Sequence, residues 1–289
     1  MRKLLHKTLL RSLKNASAFI SSPVVRTLVY ANVFISLCAL SQVLLTYHLF
    51  PLPVNFENNS YLLFVFLATY LQYNLQRGYA ITQTNFHTDR SLWLTKHKKV
   101  LFFTCIGALG ILCFLCRHLS WTSIIIMGVA EIISNLYYLP PFNLRKYGYI
   151  KPFLISAIWV VSCNAVPLIE NQLFTTHCIW LLVSQFIFIG VLCMLFDIKD
   201  ADDDYVSGVN TYANILGMKF TKAFCYVLTI ISSACFYFFM PDPASLVKII
   251  VLGLLTCLAI YLTDDRKHSF YYYLFVDGLL LVQTVLFFV

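Results

Sequence analysis

Hydrophobic residues in this chain gather in blocks rather than alternating or keeping to one stripe. "LLVSQFIFIGVLCMLF" carries no charge at all, and comparable runs recur from Val24 to the end. Runs of about 18 or more apolar residues can cross a hydrocarbon layer ~30 Å thick as helices. The pattern predicts nine spans, near residues 24–50, 60–77, 100–117, 120–139, 153–170, 177–196, 219–240, 244–263 and 270–289. Proline punctuates the joins, at Pro51, Pro53, Pro140, Pro141, Pro152, Pro241 and Pro243, as expected where a helix must start or stop. The reading is an all-α polytopic membrane protein. A basic amphipathic segment over residues 1–23 lies on the membrane surface, and a single helical bundle covers 24–289.

Composition agrees. Of 289 residues 60% are hydrophobic and 12% charged, with a mean hydropathy of +0.76, which excludes an ordinary soluble domain. The net charge of +8 could suggest nucleic acid, but its placement points elsewhere. With the N-terminus in the cytoplasm, all but Arg117 and Lys248 of the 21 lysines and arginines fall on that side, as basic loops do when they orient membrane helices. The expected location is an integral, multi-pass position in a bacterial inner membrane, with the long polar loops cytoplasmic. The ten cysteines sit mainly inside apolar runs and act as small hydrophobes. Cys113 and Cys116 form a CxxC with no second pair beside it.

Against this background "FDIKDADDDYVSGV" stands out. Five of the thirteen acidic residues lie between Asp197 and Asp204, at the end of the sixth span. If that helix continues, Asp197, Asp200 and Asp204 project from one face. Clustered carboxylates repel unless a cation compensates, and hard oxygen ligands suit Mg²⁺, which takes one or two carboxylates plus water and phosphate oxygens. A solvated acidic loop is the simpler alternative.

The stretch "DIKDADDDYVSGVNTYANILG" resembles the second aspartate-rich motif of the UbiA superfamily of intramembrane prenyltransferases. Asp197, Asp200, Asp204, Gly208, Leu216 and Gly217 match it in register. "NLYYLPPFNLRKYGYIKPFLISAIW" is similar to the family's connection between its fourth and fifth spans. The resemblance implies a nine-helix bundle and a transferase that moves a prenyl group from an isoprenoid diphosphate to a lipid-soluble, plausibly aromatic, acceptor. It implies catalytic Asp197, Asp200 and Asp204, with Mg²⁺ on Asp200 and Asp204 drawing off diphosphate, and Asp197 as a candidate base. Asn74, Arg77, Arg90, Arg145, Lys146 and Lys151 would bind substrate. Its partners are the isoprenoid diphosphate, the acceptor and membrane lipids, with no nucleic acid.

The family's first aspartate motif is broken here. In "YNLQRGYAITQTN" the opening Asn74 is kept, but Leu75, Gly78 and Thr82 stand where three aspartates belong. Three readings follow: Arg77, Arg90, Lys96, Lys98 and Lys99 stand in for metal, the donor carries a different headgroup, or catalysis is lost. A non-catalytic relative binding a lipid or partner is therefore one rival, and a transporter with an acidic gate is another. Asp277 and Glu131 are candidates because carboxylates inside spans are costly. Tyr137, Tyr138, Tyr147 and Trp159 could line a cavity or form an interfacial belt.

Overall fold

The computed structural model describes residues 22–50, 52, 56–83, 88–139, 144 and 147–289. Among them there are helices and no strands. The chain opens with α1 (Pro23–Tyr30) and α2 (Val33–Leu49), then α3 (Phe56–Gln83) and α4 (Asp89–Leu115), which runs on in a 3₁₀ turn to His118. Next come α5 (Trp121–Tyr138), α6 (Lys151–Val160) and α7 (Val166–Glu170), the last two joined by a π-helical stretch, Val161–Ala165. After α8 (Cys178–Lys199) stand the short α9 (Ala201–Val206) and α10 (Tyr212–Ile215). The chain closes with α11 (Met218–Phe239), α12 (Pro243–Leu262), a π-helical turn Tyr271–Val276 and α13 (Gly278–Phe288). The segment expected on the membrane surface lies, over residues 1–21, outside the described residues.

Helix starts follow local chemistry. Ser22, Thr88, Ser120 and Asp242 each accept a backbone N–H of the first turn behind them, which satisfies donors that have no partner inside the helix. α8 is the core helix and packs most extensively on α11 and α6. The outer faces are greasy: Phe102, Phe103, Ile106, Leu109 and Phe114 of α4 and Trp121 of α5 are exposed. In water such a surface would aggregate; in a bilayer it is the lipid-facing side.

Six helical segments are long and apolar enough to cross a membrane, and α1 with α2 makes a seventh if the pair, bent by 65°, is one span. A helix is present at each of the nine expected positions, but the count of nine is not reached by this measure. The shortfall has a physical origin. α3 and α5, the second and fourth expected spans, turn Gln72, Gln76, Arg77, Glu131 and Ser134 toward an internal cavity, so their polar residues face the protein rather than lipid.

Candidate functional site

One large cavity, ≈ 670 Å³ in volume, lies inside the bundle. Its inner wall is apolar, with Ala39, Val65, Met127, Ile158 and Ile189. At the other end the wall carries Arg77 and Arg90 on α3 and α4, Lys151 at the start of α6, Asp200 at the end of α8, and Asp277 before α13. Tyr73, Tyr137 and Trp159 lie along it. A pocket with a charged end and an oily, aromatic interior takes a molecule of the same design.

The acidic stretch folds differently from the expected continuous helix. α8 ends at Lys199, Asp200 leaves helical geometry at φ −95°, ψ 8°, and α9 starts afresh at Ala201. Gly208, at φ +71°, then reverses the chain, so that the N–H of Val209 donates to the carbonyl of Asp204 at 2.8 Å. A side chain at that φ would be strained. The three aspartates therefore have separate surroundings. Asp197 is fully buried, and Lys151 Nζ donates to its Oδ1 at 2.5 Å across 46 residues. Asp200 is about one-third exposed and meets Lys199 Nζ at 2.6 Å. Burial works to raise the pKa of Asp200, but Lys199 and then Lys151 hold it below the ordinary carboxylate range. Asp204 is buried, at 3% exposure. Of the three, only Asp200 is on the cavity wall among the described residues.

This arrangement is a poor fit for Mg²⁺ on Asp200 and Asp204. Among the described residues no three His, Cys, Asp or Glu side chains come together as a metal site. Asp197 and Asp200 each already face an ammonium group, which an ion would have to displace. The first-motif positions Leu75, Gly78 and Thr82 bring no carboxylate. The cation beside Asp197 and Asp200 is lysine. Asp197 is poorly placed for a base as well: it is capped by Lys151 and sits behind the wall.

Asn74, expected at the substrate, lies one layer behind it. Its Nδ2 donates to the carbonyls of Ala31 and Tyr70, at 3.1 and 2.8 Å, and its Oδ1 accepts from Asn32 Nδ2 at 3.0 Å. Asn32 is the residue at which α1 and α2 bend. It holds the left-handed conformation at φ 63°, ψ 14°, which asparagine tolerates better than most residues. Its Oδ1 in turn accepts from Arg90 Nη2 at 2.5 Å. The guanidinium of Arg90 lies over the ring of Tyr273, 4.9 Å from its centroid. Asn74, Asn32, Arg90 and Tyr273 thus form one chain of contacts from the α1–α2 bend to the cavity.

Arg77 is exposed and faces the cavity end directly. Arg145 and Lys146 lie outside the described residues, as does the Pro140–Pro141 turn. Asn32, Gln72 and Tyr273 are wall residues that sequence reasoning passed over. An asparagine within an apolar run was a readable signal for the first. Gln72 is buried with both amide atoms lacking a hydrogen bond, and nothing in its local sequence marked it. Asp277 lines the same wall and is coupled electrostatically to Arg90, Arg77 and Lys199.

Among the described residues the chain is a helical bundle, with helices long and apolar enough to cross a membrane, around a half-polar, half-apolar chamber. The chain has the UbiA fold. A UbiA homologue from Archaeoglobus fulgidus bound to GPP and Mg²⁺ superposes with a TM-score of 0.63 at 12% identity, covering 91% of this chain and 98% of that one. A digeranylgeranylglyceryl phosphate synthase superposes at 0.59 with 15% identity, over 91% of this chain and 96% of that one. An apo UbiA homologue from Aeropyrum pernix K1 gives 0.61 at 11% identity, over 89% and 98%. No family model matches the sequence, and no curated protein does either.

Proposed function

We propose that the chain is a divergent UbiA-type prenyltransferase that moves a prenyl group from an isoprenoid diphosphate to a lipid-soluble acceptor. The observation that carries this is the chamber of ≈ 670 Å³, with cations at one end and apolar and aromatic walls at the other, inside the UbiA fold. The hydrocarbon tail lies among Val65, Met127, Ile158 and Ile189, and the diphosphate at Arg77, Arg90 and Lys151. The bond between the first prenyl carbon and the diphosphate oxygen breaks, and its electron pair leaves with the diphosphate. The allylic cation faces Tyr73, Tyr137 and Trp159, whose ring faces attract positive charge. A lone pair of the acceptor closes the new bond, and the proton it sheds passes to Asp277, a carboxylate on the chamber wall. The buried amide of Gln72 pairs with a polar group of the acceptor, since a plain hydrocarbon would leave it unsatisfied. In this reading the charged end faces the cytoplasm, following the bias of lysine and arginine.

A second reading, a non-catalytic relative that holds a phosphate-bearing lipid, draws on the aspartates missing at Leu75, Gly78 and Thr82. Incubating the purified protein with GPP and longer prenyl diphosphates, with and without Mg²⁺, and measuring diphosphate release separates the two. Release that persists in Asp277→Asn but falls in Arg77→Gln fits a transferase whose proton acceptor lies elsewhere. No release from any donor leaves the second reading standing.

A further inference from the structure

We propose that the Arg77–Arg90 end of the cavity binds a phosphate-type oxyanion directly, with no divalent metal between protein and anion. The inference deepens the reading above by naming what grips the headgroup, and its chemistry does not depend on catalysis.

Four charged groups at this end are already matched. Lys151 is bonded to Asp197 and Lys199 to Asp200. Arg77 and Arg90 are not: among the described residues neither has a carboxylate within ion-pair distance. Arg90 commits Nη2 to Asn32 and stacks on Tyr273, while its buried Nε has no hydrogen-bond partner. A buried, unsatisfied donor on a cationic group is costly unless a ligand accepts from it. Two further carboxylates stand on the wall. Glu131 accepts from Asn135 Nδ2 at 2.8 Å, and Asp277 is the one coupled electrostatically to Arg90 and Arg77, so one carboxylate faces two guanidinium groups and this end is left with positive charge.

The geometry also favours arginine over a metal. Asp197 and Asp200 are capped by lysine, and the α3 positions that would complete a two-sided clamp carry leucine, glycine and threonine. Guanidinium forms parallel, charge-assisted hydrogen bonds to phosphate oxygens and keeps its charge at every accessible pH. The chain Asn74–Asn32–Arg90 pre-sets one such group, so little ordering remains to be done on binding. Arg77, exposed on the wall, closes from the side of α3.

The test is calorimetric titration of the full chain in phosphatidylcholine nanodiscs with inorganic pyrophosphate, first in EDTA and then in excess Mg²⁺. Binding in EDTA, changed less than about threefold by Mg²⁺, is expected, and Arg77→Gln should weaken it about tenfold or more, the loss of roughly one charge-assisted contact. Binding that requires Mg²⁺ overturns the inference, as does an Arg77→Gln affinity equal to that of the parent protein. Arg77 is exposed and outside the core, so this variant remains informative if Arg90→Gln fails to fold. Repeating the titration with phosphatidic acid in the nanodiscs separates sources of the anion: competition assigns the site to a lipid headgroup, and its absence to a free diphosphate end. Pyrophosphate binding in EDTA without diphosphate release from any prenyl donor keeps the oxyanion site and removes the transferase reading alone.

Discussion

The two sides of the cavity end solve the same electrostatic problem in opposite ways. On the α8–α9 side, aspartates Asp197 and Asp200 are each matched by a lysine within 2.6 Å. On the α3–α4 side, Arg77 and Arg90 have no carboxylate within ion-pair distance among the described residues, and Arg90 is held by neutral oxygens and an aromatic ring. On one side two carboxylates are matched by lysines, and on the other the guanidinium groups are poised for a negative guest. Within the acidic stretch, Asp197 and Asp200 each face a lysine, and Asp200 also lines the cavity. The basic stretch, which looks like ordinary topology control, is the part with unused binding capacity.

The largest effect should come from breaking the matched side. Lys151→Met leaves Asp197 buried without its cation and should cost about 3–5 kcal/mol, read as a drop in thermal stability in detergent. Replacing both partners, Lys151→Met with Asp197→Leu, should restore most of it. A single variant as stable as the parent would mean that Asp197 is not truly enclosed.

Gly148 tests how this side is joined to the loop behind it. A Cβ there would sit 2.7 Å from the backbone oxygen of Asn210 and from Thr211 Cγ2. Gly148→Ala must push the turn before Lys151 away from the loop that follows the acidic stretch, at about 1–3 kcal/mol. An unchanged unfolding temperature would show that the two segments are not in contact.

Asn32 probes the unmatched side. Asn32→Gly keeps the left-handed bend but removes the amide that bridges Asn74 and Arg90, at a cost of about 1–2 kcal/mol for two hydrogen bonds, one of them to a charged group. Pyrophosphate affinity should fall with it while Arg77 and Arg90 remain in place. If affinity holds, Arg90 does not rely on this bridge.

The smallest effect sharpens the comparison from the negative side. Asp277→Asn removes the carboxylate opposite Arg90 and should tighten pyrophosphate by several-fold, about 1 kcal/mol at the effective dielectric of such sites. Weaker binding would place Asp277 in a supporting contact with the arginines instead.

Much of this protein was legible in one dimension. Blocks of apolar residues are a local property, and each is long enough by itself to demand a membrane and a helix. The helices stand where the blocks do, and the resemblance of the aspartate motif pointed to the fold that the superpositions display. The span count was less secure at α3 and α5, because a polar residue facing a cavity and one facing water read alike in sequence.

Partnership was decided only in three dimensions. The seven-residue reach from Asp197 to Asp204 suggested a shared ion, yet the outcome depended on Lys151, 46 residues away, and on a break in the helix at Asp200. Likewise Arg90 meets Asn32 across 58 residues and Asn32 meets Asn74 across 42. Hydropathy sums along a chain and so survives translation into helices. Charge pairing depends on distances of a few ångströms between segments, and only the packed bundle sets those.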